Sequence, residues 1–373
     1  MTRNDLQGEI FELRSLRFPF CLLIVIYHFT NYFSDYETTQ WVILEDLAFV
    51  LDFFFILSGF VMAHVYGKTE NFSYTRYINR RFFRIYPLHF LTLMSLVLVA
   101  IVGRSIGLEA SNPERYSLET VWLHLTMLHA WFFDPVITFN VPSWSVSAEW
   151  FVYLIFPVFL WAARRVPGGR LLIYAAVAAA VWYAATLWVT GYSYPQLEGF
   201  ALFRVTVNFM LGFALRQFLR TGSLPFTRLK HASRIYAALM GVLGVLGFPP
   251  ILPMIVFVWF AASAYERKLA GQKDGFYDNR VFNRLGDSAF ALYLTHMPVA
   301  IYATNIIERL TGVTLPGPSS DPVVVVIFIL LLVLAVVTAW LVHNLVEQPI
   351  AIYGPKWVES VFRLRQRRPS AVD

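Results

Sequence analysis

The chain has 373 residues, 57% of them hydrophobic and 14% charged, with a formal net charge of +6 and a mean hydropathy of +0.56. A soluble domain carries about 25% charged residues, so these values exclude an ordinary soluble enzyme or binding module. They point to an all-α, polytopic integral membrane protein. The positive charge has no soluble basic domain to occupy; it reads as an orientation signal and a contact with membrane lipids, with no nucleic acid as partner.

Apolar runs near 18–33, 42–65, 87–103, 146–163, 171–190, 201–215, 235–248, 250–265, 289–307 and 323–345 predict about ten transmembrane helices. The boundary between the seventh and eighth falls at Phe248-Pro249-Pro250. Placing both termini in the cytoplasm puts every Lys and Arg on the inner side except Arg104, Arg115, Arg204 and Arg309, as the positive-inside rule demands. Residues 1–350 form one membrane domain and 351–373 a short basic tail. The first span, with no small-residue cleavage site after it, reads as an uncleaved anchor. The single cysteine, Cys21, excludes an intrachain disulfide and a cysteine metal cluster.

The first span holds Arg17 at its inner rim and His28 eleven residues on. On an α-helix that is about three turns plus 20° and a rise of about 16 Å, so both share one face with the imidazole near mid-bilayer. A proton-transferring group at that depth is costly to place and marks a functional site, with a hydrogen bond to a neighbouring helix as the plainer role. Asp52 lies at comparable depth, eleven residues from the outer end of the second span at Trp41, and is the expected partner that orients His28; pairing with an arginine is its other role.

Arg80, Arg81 and Arg84 precede the third span and form one cationic helical face at the inner surface, suited to phosphates and equally to anionic headgroups. On the outer side, Trp144, Ser145, Ser147 and Glu149 open the fourth span, with Ser145 or Ser147 as N-cap; a Trp beside a carboxylate and hydroxyls also suits a sugar. Arg204 sits inside an apolar run and needs Glu149, Glu198, Asp52 or water, a water-filled cavity being the preferred setting. His296 and Glu347 suit packing or helix ends as well as chemistry. No metal is expected: the histidines lack a His-x-x-x-His pair, and His124 and His129, five apart, fall about 140° around a helix.

The stretch Leu13 to His28, the run Asp52-Phe53-Phe54-Phe55-Ile56-Leu57-Ser58-Gly59-Phe60 and Arg80-Arg81-Phe82-Phe83-Arg84-Ile85-Tyr86-Pro87 resemble the acyltransferase 3 family of membrane acyltransferases. So do Trp144-Ser145-Val146-Ser147-Ala148-Glu149 with Tyr153 and Pro157, Leu292-Tyr293-Leu294-Thr295-His296-Met297-Pro298, and Val346-Glu347-Gln348-Pro349. The resemblance implies transfer of an acyl group, commonly acetyl, from cytoplasmic acyl-CoA to a carbohydrate hydroxyl on a surface polysaccharide, lipid-linked glycan or glycoside, in a bacterial inner membrane. It also implies essential roles for Arg17 and His28 and for the Arg-x-x-Arg pair Arg81 and Arg84.

That chemistry needs a base for the hydroxyl proton and a cationic grip on the donor. His28, with Arg17 and Asp52, is expected to be catalytic, His28 acting as base or as acyl-accepting nucleophile. Arg80, Arg81 and Arg84 are expected to hold acyl-CoA, acetyl-CoA first, with Arg84→Ala weakening donor use while sparing the fold. Trp144, Glu149, Tyr153, Arg204 and His296 are expected on the carbohydrate or glycolipid acceptor. A secondary transporter is the competing class, but it should show two related halves, and none is visible; a lipid or glycolipid flippase without acyl transfer is the nearer rival, since the same cavity and arginine rim would serve it.

Overall fold

Backbone amides in hydrocarbon have no water to bond, so apolar runs close their hydrogen bonds internally as helices. The computed structural model describes residues 10–33, 49–67, 72–107, 112–131, 137–191, 200–229, 231–272, 277, 279–312 and 322–366. Among them there are fifteen α-helices and no strand. In chain order these are α1 (Phe11–Ser15), α2 (Arg17–Phe33), α3 (Val50–Tyr66), α4 (Tyr74–Ser105) and α5 (Val121–Leu125). Next come α6 (Ser143–Leu154), α7 (Phe156–Arg165), α8 (Gly168–Thr190), α9 (Ala201–Phe218) and α10 (Ala232–Val245). The rest are α11 (Ile251–Leu269), α12 (Arg280–Asp287), α13 (Ala289–Thr311), α14 (Pro322–Val342) and α15 (Gln348–Gln366).

Five stretches are long and apolar enough to cross a membrane: Phe11–Thr30, Tyr74–Ser105, Gly168–Val189, Ala289–Thr311 and Pro322–Val361. The pair α6 and α7, bent by 47°, makes a sixth if it is one span. The bend falls at Ile155, where Pro157 supplies no amide for the preceding turn. Apolar α3 and α10 are shorter, at 17 and 14 residues. The Phe248-Pro249-Pro250 segment does separate α10 from α11, helped by Gly247 in the left-handed region at φ +67°. Trp41, Glu198 and residues 367–373, used in the sequence reading, lie outside the described residues.

The tightest helix crossing is that of α3 with α9. A Cβ on Gly59 would stand 1.9 Å from the carbonyl oxygen of Phe209, and one on Gly212 1.8 Å from that of Ile56, so each helix needs its glycine where the other's backbone passes. Gly286 does the same for α12, since a Cβ there would stand 2.2 Å from the Arg14 carbonyl. The two ends of the chain are joined by ion pairs: Arg14 with Asp287, Arg267 with Glu12 at 3.3 Å, and Arg84 with Glu347.

The helix α15, Gln348–Gln366, continues from α14 through a π-helical turn, His343–Glu347, and lies along the arginine-bearing start of α4. There Asn79 Nδ2 donates to Pro355 O at 3.3 Å, Arg76 stands 3.8 Å from Glu359, and Gly354 makes room for the Phe83 ring. Because the obstacles at Gly212 are backbone atoms that cannot rotate away, Gly212→Ala is expected to cost about 1–3 kcal/mol by overpacking. Thermal unfolding in detergent checks this, and Gly241→Ala, with nothing within 4 Å, is the neutral control.

Candidate active site

Five arginines converge on one cavity of about 700 Å³: Arg14 and Arg17 from the start of the chain, and Arg80, Arg81 and Arg84 from the first turns of α4. The third span was expected to begin after these arginines; instead α4 starts at Tyr74, capped by Ser73, and carries all three. They differ in what already neutralises them. Arg84 is ion-paired with Glu347, whose side chain is 2% exposed and also takes His343 Nδ1 at 2.9 Å from the π-helical turn. Arg81 meets no carboxylate among the described residues. Its guanidinium lies 5.9 Å from the Tyr66 ring centroid and 5.8 Å from that of Tyr153, and its sealed Nε has no hydrogen-bond partner. Arg80 is exposed at the rim.

The same chamber carries a carboxylate. Glu149 Oε1 accepts from Ser58 Oγ and from Tyr153 Oη, each at 2.6 Å. Glu149, Tyr153 and Ser145 therefore line the same cavity as the arginines, where the sequence reading had set them apart on the acceptor side. The helix α6 begins at Ser143, after Pro142, with no side-chain cap. Ser145 and Ser147 are not caps: Ser145 Oγ donates to Pro142 O at 3.1 Å, and Ser147 Oγ donates to Met127 O at 2.7 Å while accepting from Ala130 N at 3.2 Å. Both serve to lash the preceding loop to α6.

Asp52 is not the partner of His28. Its Oδ1 accepts from Arg204 Nε at 2.7 Å and from Asn208 Nδ2 at 3.0 Å, and its Oδ2 from Arg204 Nη2 at 3.0 Å. The face of α3 that carries Asp52 turns toward α9, brought close by Gly59 and Gly212. Arg204, 3% exposed, is thus matched by a carboxylate and not by a water-filled cavity, and it lines no part of the arginine chamber. Its guanidinium lies 5.8 Å from the Trp144 ring centroid, and Trp144 is itself buried, so neither presents an open face to a sugar.

His28 meets His296 instead. His28 Nδ1 and His296 Nε2 are 2.8 Å apart, and His28, half-buried, has no other hydrogen-bond partner among the described residues. His296 is fully buried between the Phe29 and Tyr293 rings, each with its centroid 6.1 Å away, which removes it from contact with a substrate. Pro298, two residues on, leaves the Leu294 carbonyl without its helical donor, and Asn140 Nδ2 fills that role at 2.9 Å. Asn140 thereby pins the loop before α6 to the helix that carries His296. Tyr293, one turn before His296, lines the arginine chamber, its hydroxyl held by Ser145 Oγ at 2.8 Å and Pro142 O at 2.9 Å. The 3-10 turn Pro113–Tyr116 brings Arg115 within electrostatic reach of the His28 ring, a residue the sequence marked only as lying outside the inner loops.

His124 and His129 do not diverge around a helix. The chain reverses at Met127, φ +58°, and their rings stack with centroids 4.0 Å apart. Among the described residues no group of three or more His, Cys, Asp or Glu is arranged to hold a metal.

Residues 10–343 match the acyltransferase domain of the acyltransferase 3 family. The chain belongs to the acyltransferase 3 family. As a member it is a membrane O-acyltransferase, and the arginine chamber and the paired histidines are where its family motifs meet in space. The chain is 30% identical over 319 residues to the acyltransferase MdmB of Streptomyces mycarofaciens, a match spanning 79% of each. It is also 30% identical over 152 residues to protein 2 in the picA locus of Rhizobium radiobacter, covering 36% of this chain and 76% of that one. No solved structure matches the chain.

Because Arg84 neutralises a buried carboxylate, Arg84→Ala is expected to destabilise the fold and not to spare it: Glu347 would keep only the His343 ring as partner, at a cost of up to about 3–5 kcal/mol. In thermal unfolding, Arg84→Ala combined with Glu347→Gln should recover most of that loss. Equal instability of the single and double variants would contradict the pairing.

Proposed function

We propose that this acyltransferase takes its acyl group, acetyl first, from cytoplasmic acyl-CoA and delivers it to a hydroxyl of a carbohydrate or glycolipid. It would act in a bacterial inner membrane with about ten spans and both termini inside. One observation carries the reading: the helix that opens into the arginine chamber at Arg17 holds, three turns on, a histidine with one ring nitrogen engaged and the other without a partner among the described residues. With phosphates docked on Arg81 and Arg80, a long flexible arm entering at Arg17 would have the rise of eleven helical residues, about 16 Å, to follow along α2 to His28. Arg81 suits an anion because its guanidinium faces rings and no acid.

In the direct reaction His28 takes the hydroxyl proton as the oxygen forms its bond to the thioester carbonyl. The C–S bond breaks, and the departing sulfur recovers that proton as free thiol. Glu149, held by Ser58 and Tyr153, is an acceptor of hydrogen bonds in a chamber otherwise rich in donors, fitted to amide or hydroxyl groups of whatever lies there.

Membranes carrying the wild-type chain should move label from acetyl-CoA into a glycan-containing fraction with release of CoA thiol. His28→Ala should lower this by about 10²-fold to 10⁴-fold at matched expression. Arg81→Ala should raise the donor KM about 10-fold to 100-fold, as expected for a lost hydrogen bond to a charged group. Thiol release independent of His28, across acyl-CoA donors of several lengths, would instead favour transport or flipping without acyl transfer.

A further inference from the structure

His28 is held by a second histidine, and the order of the hydrogen bonds selects which of its nitrogens is the base. That order starts at a main-chain carbonyl. Leu292 O can only accept, so His296 Nδ1, 3.0 Å away, carries a proton and donates it. In a neutral imidazole the other nitrogen is then a lone pair, so His296 Nε2 accepts. The proton of the 2.8 Å contact therefore belongs to His28 Nδ1, and His28 Nε2 is left with the lone pair.

The ring geometry agrees. With the nitrogens at 2.8 Å, the centroids 5.0 Å apart and 6° between the planes, the two rings lie nearly edge to edge in one plane. An N–H then points along its partner's lone pair. The Leu292 carbonyl is one helical turn before His296 on α13, so its place is fixed by the helix itself.

We propose that His296 is a positioning residue that holds His28 in the Nδ1–H form and so presents Nε2 as the base toward the acceptor hydroxyl. This rests on the acyl-CoA reaction proposed above. When Nε2 takes the hydroxyl proton and the oxygen's electron pair forms the new C–O bond, His28 becomes an imidazolium whose Nδ1–H still donates to His296 Nε2. The C–S bond breaks with its pair going to sulfur, and the Nε2 proton passes to that sulfur, returning His28 to its starting form. The step consumes no other reactant. A buried, uncharged imidazole thus does what a carboxylate does in many hydrolases, with no carboxylate bonded to His28 among the described residues.

Two substitutions separate positioning from packing. His296→Phe keeps an aromatic ring between Phe29 and Tyr293 but offers no acceptor; His296→Gln loses the ring but has a carbonyl oxygen able to accept from His28 Nδ1–H. His296→Phe is expected to lower kcat about 10²-fold or more with the donor KM within two-fold of wild type, and His296→Gln to retain at least ten times the kcat of the Phe variant. Equal or better activity of His296→Phe, or a loss falling on KM, would overturn the proposal.

Nitrogen NMR of detergent-solubilised protein carrying ¹⁵N-histidine, with the His28 signals assigned by their absence in His28→Ala, reads the same point without turnover. A protonated Nδ1 and an unprotonated Nε2 support the proposal, and the opposite form overturns it. If the wild-type protein does not turn over acyl-CoA, the proposed reaction falls and the base role with it, while the NMR signals still report the hydrogen-bond order. A kinetic failure confined to His296→Phe and His296→Gln leaves the acyl-CoA reading standing.

Discussion

A charge enclosed by apolar side chains must meet its opposite inside the protein or be left for a ligand to meet. The described part of this chain is organised by that constraint. Asp52 is fully buried and takes both Arg204 and Asn208; Glu347 takes Arg84 and His343; Asp287 takes Arg14. The pairs with Arg204, Arg84 and Arg14 each join two elements distant in sequence, so neutralising the charges and assembling the helices are one process. Two cations depart from the pattern. Arg216 donates to His64 Nδ1 at 3.1 Å and lies over the Tyr265 ring, and Arg81 faces the Tyr66 and Tyr153 rings. Arg81 and His64, the partner of Arg216, both line the arginine chamber.

Much of this was legible in the residues, because the pattern of apolar runs, the eleven-residue step from Arg17 to His28 and the cluster at 80–84 are local properties. The described parts of the ten apolar runs fall largely on helices, with breaks at Ile155 and between Val245 and Ile251, and Arg17 with the three clustered arginines line one cavity. What could not be read is which way a side chain points once helices cross. Depth put Asp52 level with His28, but azimuth decided its partner, and azimuth was set by Gly59 and Gly212 letting α9 approach. The signal for that was present, a glycine in each helix near a buried charge, yet its meaning depends on the pairing of helices 150 residues apart. His296 was similar: its own sequence shows a histidine on an apolar face, and only the approach of α2 to α13 makes it the partner of His28.

Loops misled for a different reason. Ser145 and Ser147 sit where a helix start is expected, and local capping is the cheapest use of a hydroxyl there. Tertiary bonds won because the segment ahead of α6 folds back on it and leaves carbonyls at Met127 and Pro142 that need donors. His124 and His129 were separated on paper by assuming a continuous helix, whereas Met127 adopts a positive φ and reverses the chain. The same segment, through Asn140, supports the helix bearing His296, so the irregular stretch between α4 and α6 is part of the scaffold of the site.

The ion pairs that join the start of the chain to its end also set an order of events during synthesis. Arg14 and Asp287 are 273 positions apart, Arg84 and Glu347 263, and His28 and His296 268. A ribosome must therefore make most of the polypeptide before any of these partners exists. Until then Arg14 and Arg84 wait in the inserted part of the chain without these carboxylates, and His28 without His296. Domains commonly fold as their N-terminal parts emerge, but here these long-range contacts close only with the last helices. An interrupted chain holds membrane segments without them, and its unmatched charges mark it as unfinished.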